Sequence, residues 1–117
     1  MKPEDFELLA DLLRKRSGLV LTPEKVYLLE SRLMPIARKR GMADLDELVA
    51  AVRRGGDEGL LAEITDAMTT NESYFYRDVK PFELFENDTL PDLIQSRAQK
   101  KSIRIWCAAS STGQEPY

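Results

Sequence analysis

Apolar residues recur at helical spacing in four successive stretches of this chain, each bracketed by residues that start or stop a helix. In the first, Phe6, Leu9 and Leu13 share a face, Pro3 is tolerated in the opening turn and Gly18 stops the run. This pattern predicts a helix over about residues 3–16. The second begins at Thr22, a capping candidate followed by Pro23 at the first helical position, and sets Val26, Leu29, Leu33 and Ile36 on one side before Gly41. Pro35 predicts a kink or an early end there, because proline lacks the amide proton and crowds the carbonyl four residues back. The third has Asp44 as cap with Glu47 three positions on, as in a capping box, then Leu45, Leu48, Val49 and Val52 up to Gly55 and Gly56. The fourth starts near Asp57 and buries Leu60, Leu61, Ile64, Ala67 and Met68.

Four short amphipathic helices with short turns predict an all-α helical bundle over residues 1–70. Small polar residues from Thr69 to Ser73 break the helical period, and the segment 71–89 reads as a linker followed by renewed helical signal around residues 79–86. Helical signal comes again at about residues 91–99. The pattern then changes: Ile103, Ile105 and Cys107 alternate with Arg104, Trp106 and Ala108, which predicts a strand entering a turn with Gly113. Residues 114–117 are expected to open a further helix. One strand is not a sheet, so residues 90–117 are expected to be the incomplete start of an α/β domain.

At 117 residues the chain is long enough for one whole domain and short for two, which agrees with a bundle plus a partial domain. No run of 18 apolar residues occurs and the N-terminus carries Lys2, Glu4 and Asp5, so neither a membrane span nor a secretory signal is expected, and the cytoplasm is the expected compartment. The chain has no histidine, which removes Ser-His and Cys-His nucleophile pairs and most zinc sites. No metal site is expected, and chemistry must rest on carboxylates, arginine, tyrosine or a bound cofactor. The single cysteine, Cys107, forms no internal disulfide and lies among apolar residues, the setting of an inert thiol. Charge is uneven: residues 14–54 are basic, whereas residues 57–92 carry only Arg77 and Lys80 against many acids.

A strand, a small-residue turn and a helix start form the front of a nucleotide-binding α/β unit, with Ala109, Ser111 and Gly113 where three glycines would stand. The run RIWCAASSTGQEPY over residues 104–117 closely resembles the first cofactor motif of CheR-type chemotaxis receptor methyltransferases. Upstream, TNESYFYRD over residues 70–78 resembles that family's N-x-[ST]-x-F-F-R signature, and YLLESRL over residues 27–33 is similar to its N-terminal domain. Two departures are mild: Tyr76 stands where Phe is common, and Ala109 where Gly is frequent. The resemblance implies an all-α N-terminal bundle followed by the truncated start of a Rossmann-like α/β methyltransferase domain.

It also implies S-adenosylmethionine as cofactor, S-adenosylhomocysteine as product, and glutamate side chains in the cytoplasmic domain of chemotaxis receptors as methyl acceptors. By resemblance Asn71, Ser73, Arg77, Ala109, Gly113 and Glu115 belong to the cofactor pocket, with Arg77 the active-site arginine. Each has a plainer use: Asn71 and Ser73 in a turn, Arg77 in a surface ion pair with Asp78 or Glu72, Glu115 in the first turn of a helix. Arg32, Arg38, Lys39 and Arg40 form a basic stretch that is ordinarily a solvated helix end and that, by resemblance, docks on the receptor. Nucleic acid is a poorer partner, for want of strong basicity and exposed aromatic platforms. No direct membrane insertion is expected. With most strands of the pocket missing, the chain alone is expected to be inactive, and a lone strand to pair with another copy. The alternative is a non-catalytic helical interaction module.

Overall fold

Leu9 and Leu13 are completely buried on one face of the first helix, α1 (Pro3–Ser17), which starts on Pro3 and ends at Gly18. Gly18 adopts φ 76° and its N–H donates to the Arg14 carbonyl at 2.9 Å, a left-handed ending that glycine takes without a Cβ penalty. α2 (Val26–Lys39) packs against α3 (Leu45–Arg53) and α4 (Glu58–Met68), and these two in turn pack against α1. In this computed structural model, which describes residues 1–117, the chain divides into two compact units, Met1–Asn71 and Glu72–Tyr117.

The first unit has a continuous core in which Leu29 and Leu33 of α2, Leu48 and Val52 of α3, and Leu60, Ile64 and Met68 of α4 close over Leu9 and Leu13. These are the positions that the helical period selects, so burial of one stripe from each helix makes the unit. Two caps fix the starts of the shorter helices. Asp44 accepts the Glu47 N–H at 3.0 Å while Glu47 Oε2 accepts the N–H of Ala43 at 2.9 Å, a capping box returned one residue earlier than the standard pattern. Asp57 accepts the Leu60 N–H at 2.7 Å.

Several expectations are corrected. Pro23 opens a single 3-10 turn (Pro23–Lys25), and α2 proper begins at Val26. Thr22 has the extended backbone of a cap, but its hydroxyl makes no capping bond and is buried without a partner. α2 is not shortened by Pro35 and runs on to Lys39, held by Leu29, Leu33, Ile36 and Ala37 in the core. Asp5, on the same stripe as Leu9 and Leu13, is buried and meets Arg53 at 2.6 Å.

In the second unit the two expected helices are one helical run: α5 (Val79–Leu84), a π-helical turn (Phe85–Thr89) and α6 (Leu90–Ser96). The Leu90 N–H reaches back five residues to the Phe85 carbonyl. Pro91 accounts for this, because it has no N–H and its ring crowds the carbonyl of Asn87, so the ladder loosens just ahead of it. The strand expected at residues 103–108 is not formed, and the Rossmann-like start is not visible as a sheet. Residues 102–107 have no regular structure and lead into turns, and residues 114–116 are turn rather than helix. A strand exists only by pairing, and nothing in the unit supplies the second strand. Apolar residues there stay outside: Trp106 is 89% exposed and Tyr117 98%.

Candidate cofactor site

The two signature segments are brought together in the second unit by one side chain. Ser73 Oγ donates to Gln114 Oε1 at 3.1 Å, and Thr112 Oγ1 donates to the same oxygen at 2.6 Å. Beside this junction the Phe75 and Tyr117 rings lie 5.8 Å apart between centroids, tilted by 56°, within the range of a favourable aromatic pair. Tyr76 takes a positive φ of 56° and turns its ring edge-on to Phe82, at 4.9 Å.

Arg77 sits at the close of the same loop, its N–H donating to the Tyr74 carbonyl at 3.2 Å. Its half-buried guanidinium donates to the Glu72 carbonyl and to Asp78 Oδ2, the latter at 3.2 Å. The arginine therefore makes the local ion pair expected of an arginine in an acidic stretch, and an acceptor carboxylate would have to compete with Asp78 for it.

In the second segment Ala109 has φ 52°, Ser111 φ 51° and Gly113 φ 97°, so alternate residues adopt left-handed backbone. The Gly113 N–H donates to the Ser110 carbonyl at 2.9 Å and the Tyr117 N–H to the Gly113 carbonyl at 3.2 Å. No atom lies within 4 Å of where a Cβ on Gly113 would stand, so the backbone angle, not close packing, calls for glycine. Glu115 is exposed at the end of this turn. Two concavities of the unit run along Asp88, Asp92 and Ser96 and against Ile94, Arg97 and Ile103.

Asn71 belongs to the first unit, where its Nδ2 donates to the Asp66 carbonyl at 2.7 Å and helps close the end of α4. The basic residues on α2, and Arg40 just beyond its end, are mostly engaged. Arg32 donates to the Met68 carbonyl at 3.1 Å, Lys39 pairs with Glu63 at 3.2 Å, and Arg40 bridges Asp57 at 3.0 Å and Glu63 at 3.1 Å. Arg38 stands exposed on the same helix. The Leu60 N–H, followed by Arg40, lowers the Asp57 carboxyl from its usual range; Arg40 and then Lys39 lower that of Glu63. Gln114 was legible only as part of a motif; its role as the common acceptor is a matter of three-dimensional placement.

Comparison with known proteins names the family to which the helical unit and the loop segments after it belong. Residues 4–69 match the all-alpha domain of CheR methyltransferases and residues 71–117 their SAM binding domain, and the chain belongs to the CheR methyltransferase family. It is 44% identical over 115 residues to chemotaxis protein methyltransferase 1 of Pseudomonas aeruginosa, covering 97% of this chain and 40% of that protein. With the chemotaxis protein methyltransferase of Vibrio parahaemolyticus the identity is 40% over 114 residues, 97% of this chain and 40% of the relative. The Escherichia coli protein of that name is 28% identical over 112 residues, 96% of this chain and 37% of the relative. The chain thus spans about two fifths of the length of the relatives it matches. No helix is long and apolar enough to cross a membrane.

Proposed function

We propose that this chain is the front of an enzyme that methylates glutamate side chains of chemotaxis receptors with S-adenosylmethionine. The observation that carries the reading is the junction of Ser73 with Gln114, which joins the two signature segments of the family in one loop cluster. The donor set suits the cofactor. An exposed carboxylate at Glu115 can accept from an ammonium or a ribose diol, and the exposed rings of Tyr74, Phe75 and Tyr76 offer π faces to a cation. Asn71, Ser73, Ala109 and Gly113 complete the proposed contacts.

The bound cofactor would supply an electrophilic methyl on a sulfonium. An ionised γ-carboxylate needs no general base at neutral pH, so the protein's task is alignment, which agrees with a chain that lacks histidine. Arg77 would hold the acceptor carboxylate through its planar guanidinium, exchanging its Asp78 partner for the substrate. Receptor docking falls to the basic helix. Among Arg32, Arg38, Lys39 and Arg40, the exposed Arg38 is the one whose charge is not engaged by an acid or a carbonyl of the unit, so it carries most of this role.

The test is calorimetry with S-adenosylhomocysteine on the chain itself and on a chimera continued with the Pseudomonas aeruginosa relative beyond the position of Tyr117. Binding and receptor methylation are expected in the chimera and not in the chain alone. In the chimera, Arg77→Lys should abolish most turnover, and Arg38→Glu should weaken receptor methylation while leaving cofactor affinity unchanged. A chimera that binds no cofactor would favour the non-catalytic interaction module.

A further inference from the structure

We infer that Gln114 is a positioning residue: its side-chain carbonyl is the single acceptor that clamps the linker serine to the glycine turn. Oε1 takes the Ser73 hydroxyl at 3.1 Å and the Thr112 hydroxyl at 2.6 Å. Ser73 and Gln114 are both half-buried, in a unit where no residue is fully buried. With little apolar burial to fix the loops, directional bonds of this kind decide their relative placement.

A carbonyl oxygen has two lone pairs, and both are occupied. Gln114 is therefore left with only donors, the two protons of Nε2, for any other partner. The neighbouring carboxylate of Glu115 remains the acceptor. The pair thus divides the labour: Gln114 holds Ser73 and Thr112 in register, and Glu115 meets cationic or hydroxyl donors of a ligand. The second half of this division rests on the cofactor reading above, whereas the clamp does not.

The clamp also explains the aromatic pair. Ser73 is two residues from Phe75 and Gln114 three from Tyr117, so fixing Ser73 to Gln114 brings the two rings to 5.8 Å. Three amides report on it without ligand: Arg77, which bonds Tyr74, Gly113, which bonds Ser110, and Tyr117, which bonds Gly113.

The experiment is nuclear magnetic resonance of the intact 117-residue chain, free of ligand, comparing wild type with Gln114→Leu, Gln114→Glu and Ser73→Ala. Removing two hydrogen bonds of ordinary strength should speed exchange of these amides about tenfold in Gln114→Leu and remove the Phe75–Tyr117 ring cross-peaks. Ser73→Ala should remove the cross-peaks as well. Gln114→Glu keeps an acceptor and should restore both signals, with helical shifts in the first unit unchanged in every variant. Cross-peaks and exchange in Gln114→Leu equal to wild type would overturn the clamp, and so would a Gln114→Glu variant as loose as Gln114→Leu. Failure of the chimera to bind cofactor would remove the role of Glu115 and leave these outcomes as they stand.

Discussion

The Arg32 guanidinium donates to the Met68 carbonyl at 3.1 Å, placing a cation from α2 on the last residue of α4. Carbonyls at a helix end lack intrahelical donors and carry the negative end of the dipole, so this contact satisfies both needs. Two more side chains act there: Thr69 Oγ1 and Asn71 Nδ2 each donate to the Asp66 carbonyl at 2.7 Å. The exit of the helical unit is thereby tied down just before the signature loop begins.

Arg32→Ala should destabilise the helical unit by about 1–2 kcal/mol, as expected for a charge-assisted bond to a half-buried carbonyl. Arg38→Ala, on an exposed position of the same helix, should change stability by less than about 0.5 kcal/mol. Urea unfolding followed by circular dichroism distinguishes them, and equal effects would mean that Arg32 acts as a surface charge only.

Acid should weaken the same unit through its carboxylates. Asp57, Glu63, Glu58 and Asp11 are held below their ordinary values in the folded chain, by the Leu60 N–H, Arg40, Arg16 and Lys15 respectively. Between the folded and unfolded values the unfolded chain binds more protons, so this stability is present above about pH 4.5 and is lost as pH falls through the lowered folded values. Thermal melts from pH 6 to pH 2.5 should show the midpoint falling, and Arg40→Ala should flatten that slope while lowering the pH 6 midpoint by a few degrees. An Arg40→Ala profile parallel to wild type would separate these pairs from acid stability.

Thr22→Val should stabilise the chain by about 1 kcal/mol, since it removes a buried hydroxyl that has no partner and keeps a β-branched shape. The extended backbone at this position, φ −97° and ψ 153°, suits valine. A lower unfolding midpoint in Thr22→Val would show that the hydroxyl has a partner in solution.

Leu9, Leu33, Leu48 and Ile64 could be picked as core from spacing alone, because a packed helix writes its buried stripe into the sequence at intervals of three and four. Asp5 shows the limit: it stands four residues before Leu9 on that stripe, and only the long-range pairing with Arg53 explains a buried acid there. The strand expected at residues 103–108 does not form in this chain, because alternation describes a strand's faces but not whether a partner is available. In the candidate site, the residue types of the two segments were legible as motifs. The shared acceptor at Gln114 was not, since it depends on contact across about forty residues of sequence. The engagement of Arg40 by Asp57 and Glu63 was hidden for the same reason, and it turns most of a basic stretch into structural ties.

Ala109 supplies the last prediction, which rests on its backbone angle. At φ 52° it lies in the left-handed region, where a Cβ approaches the following carbonyl at about 1 kcal/mol or more. Ala109→Gly should relieve this and slow exchange of the Gly113 amide by up to about fivefold, because a turn that forms more readily keeps the bond to Ser110 longer. Ala109→Val should act in the opposite sense and more strongly, since a β-branched residue at positive φ is a genuine outlier. In the chimera the same two changes should move S-adenosylhomocysteine affinity in parallel, tighter or equal for glycine and weaker for valine. If valine leaves both the amide exchange and the affinity at wild-type values, then the left-handed turn at Ala109 is not the conformation that receives the cofactor.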